Sequence, residues 1–151
     1  MQHHDFNTGI WNCLEEWVIQ RLHGAQRLMI FTGPIHKDDD EYCGVRGEPG
    51  CGVRVPFGFW KSAFYISDQG PVVCLSFLIR QSPERSREQC EYRRLVTYQV
   101  PLETITRAAG LQFDPLLYSR DPLFQKARLP STAWALQIPF WRAGDIVLPS
   151  P

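Results

Sequence analysis

This sequence of 151 residues has no net charge, because its 16 Lys and Arg residues balance its 16 Asp and Glu residues. The balance removes the basic footprint that usually marks a nucleic-acid-binding domain. It still allows an enzyme that acts on nucleic acid and must then release its product. The charge balance therefore argues against a simple nucleic-acid-binding domain but does not exclude an enzyme.

Long apolar runs and Cys-x-x-Cys motifs are also missing. No stretch approaches the roughly 18 residues of a membrane helix, so we predict no membrane partner. The five cysteines include no Cys-x-x-Cys pair, which argues against zinc. Cys13 and Cys74 are expected in the core, whereas Cys43 and Cys51 each begin a Cys-Gly-Val-Arg repeat that a hairpin would bring together.

Apolar residues, by contrast, are plentiful. They make up 44% of the chain and include nine Phe and five Trp, enough for a packed core. A chain of this length is expected to form a single domain, residues 1–151.

Helical spacing of apolar residues predicts a first helix over about Asp5–His23, ended by Gly24. Its apolar stripe comprises Ile10, Leu14, Trp17, Val18 and Leu22. A second helix is predicted over Leu102–Ala109, with Pro101 at its first position and Gly110 at its end.

Short β-rich segments predict a sheet. Leu28–Phe31 is expected to be a buried strand, and Phe59–Ser67 and Val72–Arg80 to pair around the turn signal Asp68–Pro71. Tyr98–Val100 is expected to be the last strand. These segments predict an α+β fold, with a central, mostly antiparallel sheet flanked by helices.

Two further segments carry fewer signals. The run Asp38–Glu41 is expected to be a solvated turn, with a cation site as the alternative, and the neighbouring His36 has no evident partner. The part beyond Leu117 is rich in proline and predicted to be irregular. Its aromatic residues indicate packing across the domain: Trp134, Phe140 and Trp141.

The first helix carries the main chemical signal, an Asn and a Glu eight residues apart. Amide and carboxylate oxygens suit Mg²⁺ or a similar hard ion. At about 100° and 1.5 Å per residue, Asn7 and Glu15 lie roughly 80° apart and about 12 Å along the axis, so Glu15 would act through a bound water. Alternatively, Asn7 caps the first turn and Glu15 is only solvated.

The surrounding motifs resemble the DNA/RNA non-specific endonucleases, the sugar-non-specific nucleases of the His-Me finger superfamily. Four matches occur in order over about residues 2–117, and the remainder, 118–151, is an extension. They are Gln2 to Glu15 with Asn7, Trp11 and Leu14; Thr32-Gly33-Pro34; Val55-Pro56 with Phe59-Trp60-Lys61; and Tyr98-Gln99-Val100 with Gly110-Leu111-Gln112-Phe113.

This resemblance implies an enzyme that cleaves DNA and RNA without sequence specificity, using Mg²⁺ or Mn²⁺. Asn7 falls at the position of the direct metal ligand, and Glu15 at that of the catalytic carboxylate that orients metal-bound water. Gln2 and Lys61 match family positions that are assigned here to substrate binding.

The sequence departs from the family pattern in two places. The family's catalytic histidine lies in an Asp-Arg-Gly-His segment upstream of the metal Asn, and no such segment occurs here; His3 and His4 do not replace it. An Arg one turn after the Glu is replaced by Ile19.

Three interpretations follow from the missing histidine. The chain is expected to be a nuclease shortened at its amino end, lacking the upstream part of the ββα motif and with little activity of its own. The alternatives are an inactive fragment or interaction module that retains the fold, and a reduced domain completed by a partner chain.

Overall fold

A five-stranded antiparallel sheet forms the centre of the structure. The computed structural model describes residues 9, 11–21, 27–40, 42–43, 52–66, 70–81, 97–126, 137–140 and 142–149. The elements, in chain order, are α1 (Asn12–Arg21), β1 (Arg27–Ile35), β2 (Tyr42–Cys43), β3 (Val53–Arg54), β4 (Gly58–Ile66), β5 (Val72–Arg80), β6 (Thr97–Val100), α2 (Leu102–Ala109), α3 (Pro115–Tyr118), α4 (Pro122–Lys126), β7 (Ile138–Pro139) and a 3₁₀ turn (Ala143–Asp145).

The sheet has the strand order β1-β4-β5-β6-β7, and every neighbouring pair is antiparallel. The predicted hairpin is confirmed: β4 pairs with β5 from Gly58 opposite Arg80 to Ile66 opposite Val72. Both strands are buried along most of their length. The α+β class with an antiparallel sheet flanked by helices is therefore confirmed.

Among the strands of the described residues, β1 lies at the edge of this sheet and pairs with β4 alone. The prediction of a short buried strand over Leu28–Phe31 is wrong in both length and burial. The strand has nine residues, and Met29, Ile30 and Phe31 are exposed. An apolar run indicates a strand, but it does not tell a central strand from an edge strand.

Helix α1 packs on one face of the sheet through residues spaced three and four apart. Trp11, Leu14 and Val18 are buried against inward-facing residues of β4 and β5, with Phe140 and Ile146 from the end of the chain. The helix was predicted over Asp5–His23, of which Asp5–Thr8, Ile10 and Leu22–His23 lie outside the described residues. No helix within the described ranges is long and apolar enough to cross a membrane.

Helix α2 covers the opposite face, where Ile105 packs with Trp60, Leu78 and Val100. Its predicted bounds, Leu102–Ala109, are confirmed. Gly110 ends it in the left-handed region at a φ of 67°, a conformation that glycine adopts without strain. Pro101 is extended and caps the helix, so its predicted place inside the first turn is wrong by one residue.

Asp121 joins α2 to α4 from a buried position. One carboxylate oxygen accepts the Leu102 N–H at 2.6 Å and the other accepts the Leu123 N–H at 2.8 Å. Both donors lie in first helical turns, where N–H groups have no partner within the helix. Burial raises the pKa of Asp121 to about 6, although hydrogen bonds from the Leu102, Leu123 and Phe124 N–H groups oppose the shift.

The chain end packs on the sheet through a buried glutamine. Gln99 donates to the Val147 carbonyl at 2.8 Å and accepts from the Val147 N–H at 2.7 Å. Strand β7 pairs with β6, so the prediction that Tyr98–Val100 is the last strand is wrong. The side chain of Phe140 is buried against Phe77, which confirms its predicted packing. Trp134 and Trp141 lie outside the described residues.

Two of the cysteines differ in state. Cys74 is a free, fully buried thiol, as predicted, and burial raises its pKa. Cys13 is partly buried against the core, as predicted, and is disulfide-bonded. The predicted hairpin between the two repeats is present, with Cys43 opposite Val53; Cys51 itself is not among the described residues.

The raised pKa of Asp121 predicts a pH-dependent stability. A carboxyl group whose pKa is raised on folding favours the folded state when protonated. Its contribution is fully present below pH 3.8, the ordinary value, and is lost as the pH rises through about 6. The loss amounts to about 3 kcal/mol at most.

Urea unfolding of the wild type and Asp121→Asn at pH 4 and pH 7 measures this loss. The wild-type free energy of unfolding, relative to that of the variant, is expected to be larger at pH 4. The Cys74 thiol, the neighbouring titratable group, stays neutral throughout this range. A difference that is constant, or that grows toward pH 7, would contradict the prediction.

Candidate active site on helix α1

Glu15 lies on the part of helix α1 that faces the sheet obliquely. Its neighbour Leu14 is fully buried, while Glu16 is exposed to solvent. The Glu15 side chain is 41% exposed, and one of its carboxylate oxygens, Oε1, accepts a hydrogen bond from Lys61 Nζ at 2.6 Å. The carboxylate thus has one side against the protein and the rest toward solvent.

Lys61 comes from the middle of β4, on the face that α1 covers. It stands between Phe59 and Ala63, which are two residues away on either side and therefore point the same way. Its side chain is 1% exposed. A buried ammonium needs a countercharge, and Glu15 supplies it.

The indole of Trp11 completes this arrangement. Lys61 Nζ lies 4.2 Å from the centre of the Trp11 ring, a distance at which the negative face of the ring attracts a cation. Trp11 is itself 5% exposed and packs against Phe59, with ring centres 5.9 Å apart. Trp11 and Glu15 are one helical turn apart, so both groups that hold the ammonium come from the same helix.

Burial lowers the pKa of Lys61, and the hydrogen bond and charge of Glu15 oppose this shift. The carboxylate therefore favours the ammonium form that its own hydrogen bond requires. The ion pair thus joins a buried ammonium to a partly exposed carboxylate.

The predicted site residues divide into two groups. Glu15 and Lys61, 46 residues apart in sequence, are brought into direct contact. Asn7 and Gln2 lie outside the described residues, as do His3 and His4. The roles of these residues in metal or substrate binding therefore remain predictions.

The position one turn after Glu15 is occupied by Ile19, whose side chain is 52% exposed. Helix α1 therefore presents an exposed apolar side chain at this position. Among the described residues, Lys61 is the cation that pairs with Glu15.

Sequence reasoning missed the contact between Lys61 and Glu15, although a signal was present. A lysine stands where β4 otherwise directs Phe59 and Ala63 into the core. Such a lysine requires a carboxylate from another element. The buried ring of Trp11 also faces the ammonium.

A second polar cluster surrounds Asp40, in the run predicted to be a solvated turn. The Asp40 side chain is 3% exposed; it accepts from the Lys37 N–H at 2.9 Å, lies 3.0 Å from His36 Nδ1 and pairs with Arg54. Burial raises the pKa of Asp40, but the Lys37 N–H, His36 and Arg54 together hold it below the ordinary value. His36 therefore has a partner, and Asp40 ties this turn to β3.

The donor atoms of the site suit a hard, hydrated cation. Glu15 offers a partly exposed carboxylate, the ligand type that Mg²⁺ prefers when it keeps several of its waters. No cluster of three or more His, Cys, Asp or Glu side chains suited to a metal occurs in the part of the chain that the structure describes. Of the residues predicted to form the metal site, Glu15 is the one that the structure describes.

The ion pair predicts that the substitution of Glu15 lowers stability more than the same substitution of its neighbour Glu16. Glu15→Gln leaves the Lys61 ammonium buried without a countercharge, and we expect it to lower the free energy of unfolding by about 2 kcal/mol. The cost falls below that of a fully buried pair because Glu15 is 41% exposed.

Glu16→Gln is the matched control, since Glu16 is exposed and accepts a hydrogen bond from the neutral side chain of Asn12 at 2.8 Å. This variant is expected to change stability by less than about 0.5 kcal/mol. Urea unfolding of both variants makes the comparison. Equal losses in the two would show that the contact of Glu15 with Lys61 adds nothing to stability.

Comparison with solved structures gives a match to a crystal structure of the EndoG/EndoGI complex, which addresses the mechanism of EndoG inhibition. The TM-score is 0.54 and the sequence identity is 26%. The match covers 74% of this chain and 45% of that chain, so this chain spans less than half the length of that relative. A search of curated proteins gives no significant match.

A family model matches far more of the chain than the candidate site alone. It covers residues 1–119, which include α1, β1 to β6, α2 and α3. The antiparallel sheet and its flanking helices agree with the similarity to EndoG. The chain belongs to the DNA/RNA non-specific endonuclease family.

Proposed function

We propose that this chain carries the metal-binding part of a nuclease site that hydrolyses phosphodiester bonds in both DNA and RNA. In this proposal Asn7 binds Mg²⁺ or Mn²⁺ directly and Glu15 orients water bound to the ion. Gln2 contacts the substrate. The observation that carries the proposal is the partly exposed, ion-paired carboxylate of Glu15 on α1, in a chain that belongs to this nuclease family.

The charge state of Glu15 supports this role. A carboxylate that orients water must be ionised so that both oxygens accept hydrogen bonds. The Lys61 ammonium contacts Oε1 at 2.6 Å and leaves Oε2 for another donor. Glu15 therefore matches the chemistry required of a water-orienting group.

When bound, the divalent ion supplies Lewis-acid stabilisation of the scissile phosphate and of the leaving oxygen. The residues of this chain would hold the ion and its water in place. A site of this kind acts on the phosphate and sugar, which are common to all sequences, and so explains cleavage with little base preference.

The two departures from the family pattern determine the rate of cleavage that we expect. A positioned general base contributes about 10²–10⁴-fold to hydrolysis, and the 151 residues contain no Asp-Arg-Gly-His segment to provide the family's histidine. We therefore expect slow cleavage by this chain alone. The same departures, with Ile19 in place of an Arg, favour a second candidate: a nucleic-acid or protein interaction module without catalysis.

Metal binding is the first test. Mn²⁺ is titrated into the purified chain, and the electron paramagnetic resonance signal of free Mn²⁺ measures how much is bound. We expect one binding site. Asn7→Ala should weaken binding at least about tenfold, because it removes the direct oxygen ligand. Asn12→Ala, five residues along, is the control and should bind as the wild type does, since Asn12 contacts Glu16. Equal affinity in Asn7→Ala and the wild type would contradict the proposal.

Cleavage of plasmid DNA and of ribosomal RNA is the second test. With Mg²⁺ we expect slow cleavage of both polymers at similar rates, loss of cleavage in EDTA and loss in Asn7→Ala. Asn12→Ala should cleave as the wild type does. Full activity that persists in Asn7→Ala would contradict the nuclease site, and metal binding without any cleavage would favour the interaction module.

A further inference from the structure

We propose that Lys61 is a positioning residue, which fixes the Glu15 carboxylate in the orientation that the metal site needs. Lys61 does so without contacting the substrate. This inference rests on the proposed function, because it assigns Lys61 a role in the same site.

The geometry restrains one oxygen and leaves the other available. Lys61 Nζ is 2.6 Å from Oε1 of Glu15. Among the described residues, Lys61 is the side chain that hydrogen bonds to this carboxylate. The 41% exposure of Glu15 leaves the rest of the group facing solvent. A glutamate side chain on a helix surface otherwise samples several rotamers, and this bond restricts it to those that keep Oε1 against β4.

The ammonium is itself held firmly enough to act as an anchor. Its side chain is 1% exposed, and the ring of Trp11 lies 4.2 Å away. Phe59 supports that ring from the same strand. Trp11 directly precedes α1 and Glu15 lies in its first turn, so Lys61 restricts both the start of the helix and the Glu15 rotamer.

Direct contact with a phosphate does not fit this placement. A lysine that grips substrate presents its ammonium to solvent, whereas that of Lys61 is enclosed by β4, Glu15 and Trp11. The helix offers no substitute anchor, because Ile19 occupies the position one turn after Glu15. The restraint on Glu15 therefore comes from the sheet.

Mn²⁺ affinity distinguishes a positioning role from a purely electrostatic one. Lys61→Met keeps the length of the side chain but releases Glu15, which must then be immobilised again when the ion binds. We expect Mn²⁺ binding to weaken about threefold to tenfold, the cost of ordering one side chain. If Lys61 acted only through its charge, its removal would tighten cation binding. Lys37→Met is the matched control: it removes the same charge from a lysine that lies over Phe57, and should change affinity by less than twofold.

A second comparison separates positioning from general damage to the fold. In a Glu15→Gln background, Lys61→Met should have no further effect on Mn²⁺ affinity, because the group that it positions is gone. Weakening of equal size in both backgrounds would overturn the inference, as would unchanged or tighter binding in Lys61→Met alone. Lys61→Met is expected to fold, since the charge it leaves unpaired is partly exposed. Absence of Mn²⁺ binding by the wild type would instead overturn the proposed function, and this inference with it.

Discussion

The buried Lys61 ammonium is the constraint on which the candidate site depends. An ammonium taken out of water is costly unless a carboxylate and further favourable contacts compensate for it. Here Glu15 on α1 and Trp11, directly before α1, provide that compensation. Helix α1 is therefore joined to the sheet by charge as well as by the apolar contacts of Leu14 and Val18. Apolar packing tolerates small rotations, whereas a hydrogen bond of 2.6 Å does not.

Buried polar side chains connect segments elsewhere in the molecule as well. Asp121 accepts N–H groups from the starts of α2 and α4, and Gln99 pairs with both backbone groups of Val147. Each group satisfies its own hydrogen bonds by linking parts of the chain that are distant in sequence. The apolar core determines that these segments pack, and the polar links determine how they are aligned.

Local signals in the sequence were sufficient for much of the fold. The hairpin of β4 and β5 follows from two apolar runs around a turn signal, and α2 follows from apolar spacing ended by Gly110. The edge position of β1 could not be predicted, because Leu28–Phe31 has the composition of a central strand. Strand β7 was missed because two residues with a proline carry no strand signal.

The site was predictable in part. Glu15 was identified from its spacing to Asn7 and from the family motif, and Lys61 from the match at Trp60-Lys61. Their contact, however, joins residues that are 46 positions apart. The periodicity within either segment cannot predict a contact between two residues so far apart in the sequence. The enclosed position of Lys61 follows from the way α1 crosses the sheet, which depends on the packing of Trp11 and Phe59. A buried lysine in a strand indicated that a partner exists, and only the fold identified it.

A double-mutant cycle on stability tests the central claim most directly. The free energies of unfolding of the wild type, Glu15→Gln, Lys61→Met and the double variant give the coupling between the two side chains. A real buried pair predicts that the double variant is more stable than the sum of the two single losses implies, with a coupling energy of about 1–3 kcal/mol. Additive losses, within about 0.5 kcal/mol, would show that the contact does not join α1 to the sheet.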